Sequence, residues 1–195
     1  MSQQQQGPLY HLLKWIAICG GVLWLGYEGY RHFASMGPGD ISYIDGNNLF
    51  KDQRYEQSAN YFKSALEDNP EHTSALRGLA NSYVQMKRYD DALRAIERAI
   101  QIDPEFGGNY AIRGIIYDHS GRHRQAIEDY EISLKKSPEV AEGMHWLDRL
   151  LHNIQETPPT IDERLAYLKQ QFTLPASERV LSIPELDDKQ RPYER

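Results

Sequence analysis

Hydrophobic positions in this chain follow two different rules. Near the N-terminus they are nearly continuous: Leu12 to Tyr27 reads LLKWIAICGGVLWLGY, with Lys14 as its one charge. Further on they recur at helical spacing, interleaved with charge. Sixteen helical residues span about 24 Å, and a bilayer's hydrocarbon takes about 30 Å, or roughly 20 residues. Extending the run to Leu9 nearly closes that gap and predicts a membrane-crossing helix over residues 9–30, after a tail at 1–8 and before a linker at 31–38. Lys14 lies close enough to one end for its stem to lead the ammonium back to the headgroups. Trp15 near one edge and Trp24, Tyr27 and Tyr30 near the other supply interfacial aromatics. A flat surface helix would need a continuous charged face, which the run lacks; a buried core helix is the competing reading. Arg31, His32 and Phe33 stand where signal-peptide cleavage needs small residues, and the bulky Ile18 precedes Cys19 where a lipoprotein signal needs a small one. Ala17, Gly20, Gly21 and Gly26 offer a close-packing face to another membrane helix, against the plain alternative that glycine is common in such helices.

Beyond the linker the pattern repeats every 34 residues. Pro70, Pro104 and Pro138 mark the period. Small residues align twelve before each proline (Ser58, Ala92, Ala126) and five before (Ala65, Ala99, Ser133). Bulky ones align eight before (Phe62, Ile96, Tyr130). Upstream, Gly46, Ala80 and Gly114 align, then Leu49, Tyr83 and Tyr117, then Arg54, Arg88 and Arg122. Each unit reads as a helix hairpin whose second helix is ended by the proline. One hairpin cannot bury its own face, whereas stacked copies share a continuous core.

This pattern resembles the tetratricopeptide repeat, with three copies at 39–72, 73–106 and 107–140. Three positions depart from the family signature: Asp45 and Arg113 stand where Leu is usual and Ser58 where Ala is usual. The expectation is weaker packing there. The resemblance implies an all-α fold: a short superhelix of hairpins, here preceded by one transmembrane helix and closed by a C-terminal capping helix. It also implies a concave groove lined by the first helix of each repeat. Tyr43, Asn47 and Phe50 would face it, then Arg77, Asn81 and Val84, then Ala111, Ile115 and Asp118, with His145 and Arg149 of the cap beyond. Asn47 and Asn81 occupy equivalent sites, and an Asn amide both donates to and accepts from an extended peptide backbone. A subclass of the family clamps the C-terminal carboxylate of heat-shock chaperones. Asn47 matches one clamp position, but Tyr43, Gly78, Gly108 and Ile112 stand where Lys, Asn, Lys and Arg are wanted.

No proline follows at the next period, which falls on Phe172. Residues 141–155 read as the capping helix, with Met144, Leu147, Leu150 and Leu151 at helical spacing. Thr157-Pro158-Pro159 breaks it, Thr160 to Glu163 form a capping-box start, and a further helix runs to about Phe172. The rest of 156–195 reads as a short helical segment and an extended, proline-punctuated tail.

Composition narrows the chemistry. The 195 residues carry 22 basic and 28 acidic side chains, net −6, which argues against a nucleic-acid partner. Cys19 is the one cysteine, so the chain forms no internal disulfide and holds no Cys-based zinc site. Phosphate loops, nucleophile elbows and His-Glu-x-x-His are absent. His119 and His123 are four apart, but Ser120-Gly121 place a turn between them; His145 and His152 read as surface or packing residues. No catalytic, cofactor or metal residue is expected. The leading reading is a single-pass membrane protein: the resemblance suggests a bacterial inner membrane, and the charge pattern favours the repeats on the periplasmic side. It would act as a scaffold or accessory subunit that binds protein partners, subunits of a membrane complex. A periplasmic chaperone holding unfolded client segments is the alternative, and an enzyme or metal protein the third.

Overall fold

A computed structural model describes residues 8–142 and 160–182, and all regular structure among them is helical. Helix α1 (Pro8–Ala34) stands apart: within Leu9–Arg31 an 18-residue window reaches a mean hydropathy of 1.4, and no part of that window is buried. Length and composition suit a membrane span. A five-residue linker then leads to three hairpins: α2 (Asp40–Lys51) with α3 (Tyr55–Asp68), α4 (Thr73–Gln85) with α5 (Tyr89–Ile102), and α6 (Gly107–His119) with α7 (His123–Lys136). Pro70, Pro104 and Pro138 each lie two residues past the end of a second helix. A 3₁₀ turn follows at Pro138–Glu142. Helix α8 (Ile161–Thr173) and a 3₁₀ turn at Ala176–Glu178 complete the described chain.

The 34-residue period has a local cause as well as a packing one. At the end of each first helix, one residue takes a left-handed conformation: Gln53 (φ 61°), Lys87 (φ 58°) and Gly121 (φ 78°). The next amide then closes back across the turn. Arg54 donates to the Leu49 carbonyl at 2.9 Å, Arg88 to Tyr83 at 2.8 Å, and Arg122 to Tyr117 at 2.7 Å. These bonds satisfy carbonyls that a helix end otherwise leaves unpaired. In the second and third copies the same arginine lies over the same tyrosine ring, 4.6 and 4.9 Å from its centroid.

The core runs through all three hairpins and into α8. Helix–helix approach depends on small residues facing rings. A methyl group on Gly78 would lie 2.4 Å from Phe62 Cζ, and one on Gly114 2.6 Å from the Tyr130 ring. The residues that depart from the family signature are accommodated. Ser58 is fully buried, donates to the Gly46 carbonyl at 2.9 Å and lies 3.1 Å from the Ser82 hydroxyl. Arg113 makes a two-pronged pair with the buried Asp129, both contacts at 2.7 Å. Asp45 is exposed, at the edge of a cleft between α2 and α3. The expected weakness at Ser58 and Arg113 is thus offset by polar contacts.

Helix α8 has the capping box read from its sequence: the Glu163 amide donates to Thr160 Oγ1 at 3.4 Å, and the Thr160 amide to Glu163 Oε2 at 3.0 Å. It packs across α7 and buries Ile161, Leu165 and Leu168. The cap expected at 141–155 begins in the 3₁₀ turn and otherwise lies outside the described residues; among those, α8 is the helix that covers α7.

Candidate functional site

The first helices of the three hairpins carry the expected groove positions, and the structure divides them into an open part and a closed part. In repeats one and two, Tyr43, Asn47, Phe50, Arg77 and Asn81 are all half-buried. The Tyr43 ring lies 5.0 Å from the His72 ring and 5.9 Å from that of Phe62, so it braces the junction of the two repeats. Asp40 adds to that junction by meeting His72 Nε2 at 3.1 Å. Phe50 packs edge-on against Tyr55. Arg77 lies 4.7 Å over the Phe106 ring and donates to Ser74 Oγ at 2.8 Å. The Asn47 and Asn81 amides make no hydrogen bond within the described residues.

The other described groove positions are closed. Val84 of repeat two and Ala111 and Ile115 of repeat three are buried in the core, whereas the resemblance led to the expectation that they line an open groove. Their apolar side chains gain more from leaving water than from lining a wet surface. Asp118 is buried for a different reason. Its carboxylate accepts from Arg164 of α8 through Nε at 2.7 Å and NH2 at 2.9 Å. It also meets His123 Nδ1 at 2.8 Å, and the Tyr130 hydroxyl donates to it at 3.3 Å. An ionised carboxylate only accepts, so His123 donates through Nδ1. Burial by itself pushes the Asp118 carboxyl up, but the bonds from His123 and Arg164 outweigh it and hold the group below the ordinary carboxylate range. Arg164 reaches on to the Leu181 carbonyl at 2.9 Å, and Tyr167 to that of Val180 at 2.7 Å, tying the following segment to the same end.

Sequence reasoning placed Asp118 in the groove and did not connect it to Arg164, 46 residues away. The one trace of it in the sequence is an arginine at helical spacing among Ile161, Leu165 and Leu168. His145 and Arg149 lie outside the described residues. On α1, Ala17, Gly20, Gly21 and Gly26 are exposed, and the three glycines meet nothing within 4 Å. Cys19 is exposed on the same helix. Among the described residues, no cluster of three or more His, Cys, Asp or Glu side chains converges as a metal site.

Comparison with known proteins supports the repeat assignment. Residues 49–112 match the tetratricopeptide repeat family model. Hsp70-Hsp90 organizing protein 3 of Arabidopsis thaliana is 28% identical over 145 residues, which are 71% of this chain and 25% of that protein. Hsp70-Hsp90 organizing protein 1 of Glycine max is 27% identical over 131 residues, 64% of this chain and 23% of that one. The chain thus spans about a quarter of the length of the curated relatives it matches. Among solved structures, the first TPR of Spaghetti (RPAP3) bound to the HSP90 peptide SRMEEVD superimposes with a TM-score of 0.57. It is 16% identical and covers 70% of this chain and 94% of its own. The TPR domain of Arabidopsis OM64 gives 0.52 at 16% identity, over 66% and 94%. At these identities the structures speak for the fold alone, a stack of tetratricopeptide-type hairpins.

Proposed function

We propose that this protein is a membrane-anchored adaptor whose first two repeats bind an extended segment of a partner protein. The observation that carries the reading is the pair Asn47 and Asn81. They stand at equivalent sites on successive first helices, half-buried, with their amides unbonded among the described residues. Two such amides, one repeat apart, suit a peptide backbone and demand little of its sequence. The partner is a subunit of a membrane complex, because α1 tethers the groove to the bilayer and raises its effective concentration for neighbours there. Lys14 lies near the N-terminal end of the apolar run while Glu28 and Arg31 offset each other at its other end, 3.9 Å apart. This balance favours the N-terminus on the cytoplasmic side and the repeats across the membrane. The small face at Ala17, Gly20, Gly21 and Gly26 would pack on a helix of the same complex.

The names of the plant relatives suggest Hsp70 and Hsp90 chaperones as a second class of ligand, and three positions count against their capture by a carboxylate clamp. An Asn side chain at 78 would enter the Phe62 ring, and a side chain at 108 would meet Phe106 Cε1 at 2.4 Å. Position 112 is a buried isoleucine. A carboxylate clamp therefore lacks its cationic groups.

The test is purification of the full chain in mild detergent, with mass spectrometry of what accompanies it. A stoichiometric set of membrane subunits, lost in an Asn47→Ala/Asn81→Ala variant that still fractionates with membranes, supports the reading. A partner set unchanged in that variant excludes the groove. A broad, substoichiometric mixture would point instead to a holder of unfolded clients.

A further inference from the structure

Each hairpin after the first buries one face of its leading helix against the trailing helix before it. On α4 that face is marked by Gly78, which leaves room for Phe62 of α3, and by Ser82, whose hydroxyl lies 3.1 Å from that of Ser58. On α6 it is marked by Asn109, whose amide donates to the Ala99 carbonyl of α5 at 3.3 Å and to that of Asp103 at 2.9 Å. The period carries these sites back onto Ile44, Asn48 and Ile41 of α2. There the burial is missing. Ala75 and Asn109 are 0% exposed where Ile41 is 53% exposed, and Ile112 is 1% exposed where Ile44 is 40% exposed. Helix α1, five residues upstream, buries no part of its apolar stretch on α2. Alongside lies an open cleft of about 490 Å³ between α2 and α3, lined by Asp45, Asn48, Asp52 and Tyr61 among others.

We propose that this end face of α2 docks an amphipathic helix of a partner protein, basic along its flank, seated where the trailing helix of a preceding repeat would lie. The mode of contact continues the repeat-to-repeat interface that the chain already uses twice. Charge selects the partner. Asp45 and Asp52 make no ion pair among the described residues, and both border the cleft, whose lining sets these two carboxylates against a single cation, Arg54. A second copy of this face would set the same carboxylates against each other. A second copy's last repeat cannot serve either, because α8 already covers α7. Size selects the contact residue. Ile44 matches Ile112, which follows a repeat carrying the aliphatic Ile96, and differs from Gly78, which makes room for the aromatic Phe62 of the repeat before it. The docking helix therefore presents an aliphatic side chain to Ile44 and Lys or Arg to Asp45 and Asp52.

This surface is separate from the groove. At 100° per residue, the face through Ile41, Ile44 and Asn48 lies more than a third of a turn from that through Tyr43, Asn47 and Phe50. The experiment uses the full chain in its native membrane, with a benzophenone amino acid in place of Ile44, or of Glu67 as control. Ultraviolet cross-linking is followed by mass-spectrometric mapping of the adduct. The expected result is a single partner at position 44 and none at 67, with the adduct on a segment of helical apolar spacing flanked by Lys or Arg. The yield should fall at least tenfold in Asp45→Lys/Asp52→Lys, and less in Asp45→Asn/Asp52→Asn. It should be unchanged in the groove variant Asn47→Ala/Asn81→Ala, which separates this proposal from the groove reading. Adducts to this same chain, to lipid, to many unrelated proteins or to nothing would overturn it, as would a yield insensitive to charge reversal. Asp45 and Asp52 are exposed, and an unchanged circular-dichroism melt shows that the variants remain folded.

Discussion

At the residue scale, the repeat is written in backbone conformation as much as in side-chain class. Position 53, 87 or 121 must be left-handed so that the following arginine amide can close back onto the helix. Only the third copy uses glycine there; Gln53 and Lys87 hold a conformation that costs an ordinary residue about 1–2 kcal/mol, against about 0.5–1 kcal/mol of extra chain entropy lost by glycine. Lys87→Gly is therefore expected to raise stability by about 0.5–1 kcal/mol, and Gly121→Ala to lower it by a similar amount, since a methyl group at 121 meets nothing within 4 Å. Urea denaturation of the two variants checks both signs. At Gly78 the constraint is steric. Gly78→Asn drives a side chain into the buried Phe62 ring and is expected to cost about 2 kcal/mol, in the range for overpacking. Adding Phe62→Leu should return part of that loss, and strictly additive losses in thermal melts would show that the two sites do not meet.

At the element scale, the hairpins were legible and their final packing partner was not. Pro70, Pro104 and Pro138 locate the ends of three helices because ring geometry acts locally, whatever the fold. Helix α8 was legible for the same reason, through the Thr160–Glu163 box and the spacing of Leu165 and Leu168. Its docking was not, because an ion pair between positions 118 and 164 leaves no period to read. The groove at repeat three was misread for a related reason: Ala111 and Ile115 look alike in sequence whether they line a groove or fill a core. The Arg164–Asp118 pair, with side chains 5% and 1% exposed, fastens α8 to the last hairpin. Removing one partner of such a pair strands a buried charge, at about 3–5 kcal/mol. Arg164→Met is expected to loosen α8 by about 3 kcal/mol, seen as faster amide exchange in α8 with little change in α4. The pH dependence follows from the lowered Asp118 group. Its contribution is complete above the ordinary carboxylate value of about 4 and is lost as pH falls through the lower folded value. Asp118→Asn should thus lose most stability at neutral pH, and its difference from the parent should shrink as pH falls below about 4; a constant difference from pH 7 to 2.5 would contradict this.

At the scale of the whole molecule, the described residues cover the array at α7, with α8, and leave it uncovered at α2. Stability in a stack of repeats is close to a sum of unit and neighbour terms, so a unit with one neighbour is held less firmly than a unit with two. The asymmetry is large here. Gly46 alone of α2 is buried, against eight residues in each of α4 and α6. Helix α3 is better placed, because Phe62, Ala65, Ala59 and Ser58 reach the second repeat's core. Helix α2 should therefore open first, by local rather than global unfolding. Native-state hydrogen exchange is expected to show α2 amides least protected among the repeat helices and those of α4 to α6 most protected. Protection in α8 should depend on the Arg164–Asp118 pair. Occupation of the α2 end face by a basic amphipathic helix would supply the missing neighbour. It should raise protection in α2 while leaving α6 and α7 unchanged, because coupling along a stack decays with each interface crossed. Uniform protection across α2 to α7 in the unbound protein would mean that the open end is not a weak point, and that the exposed isoleucines need no partner for stability.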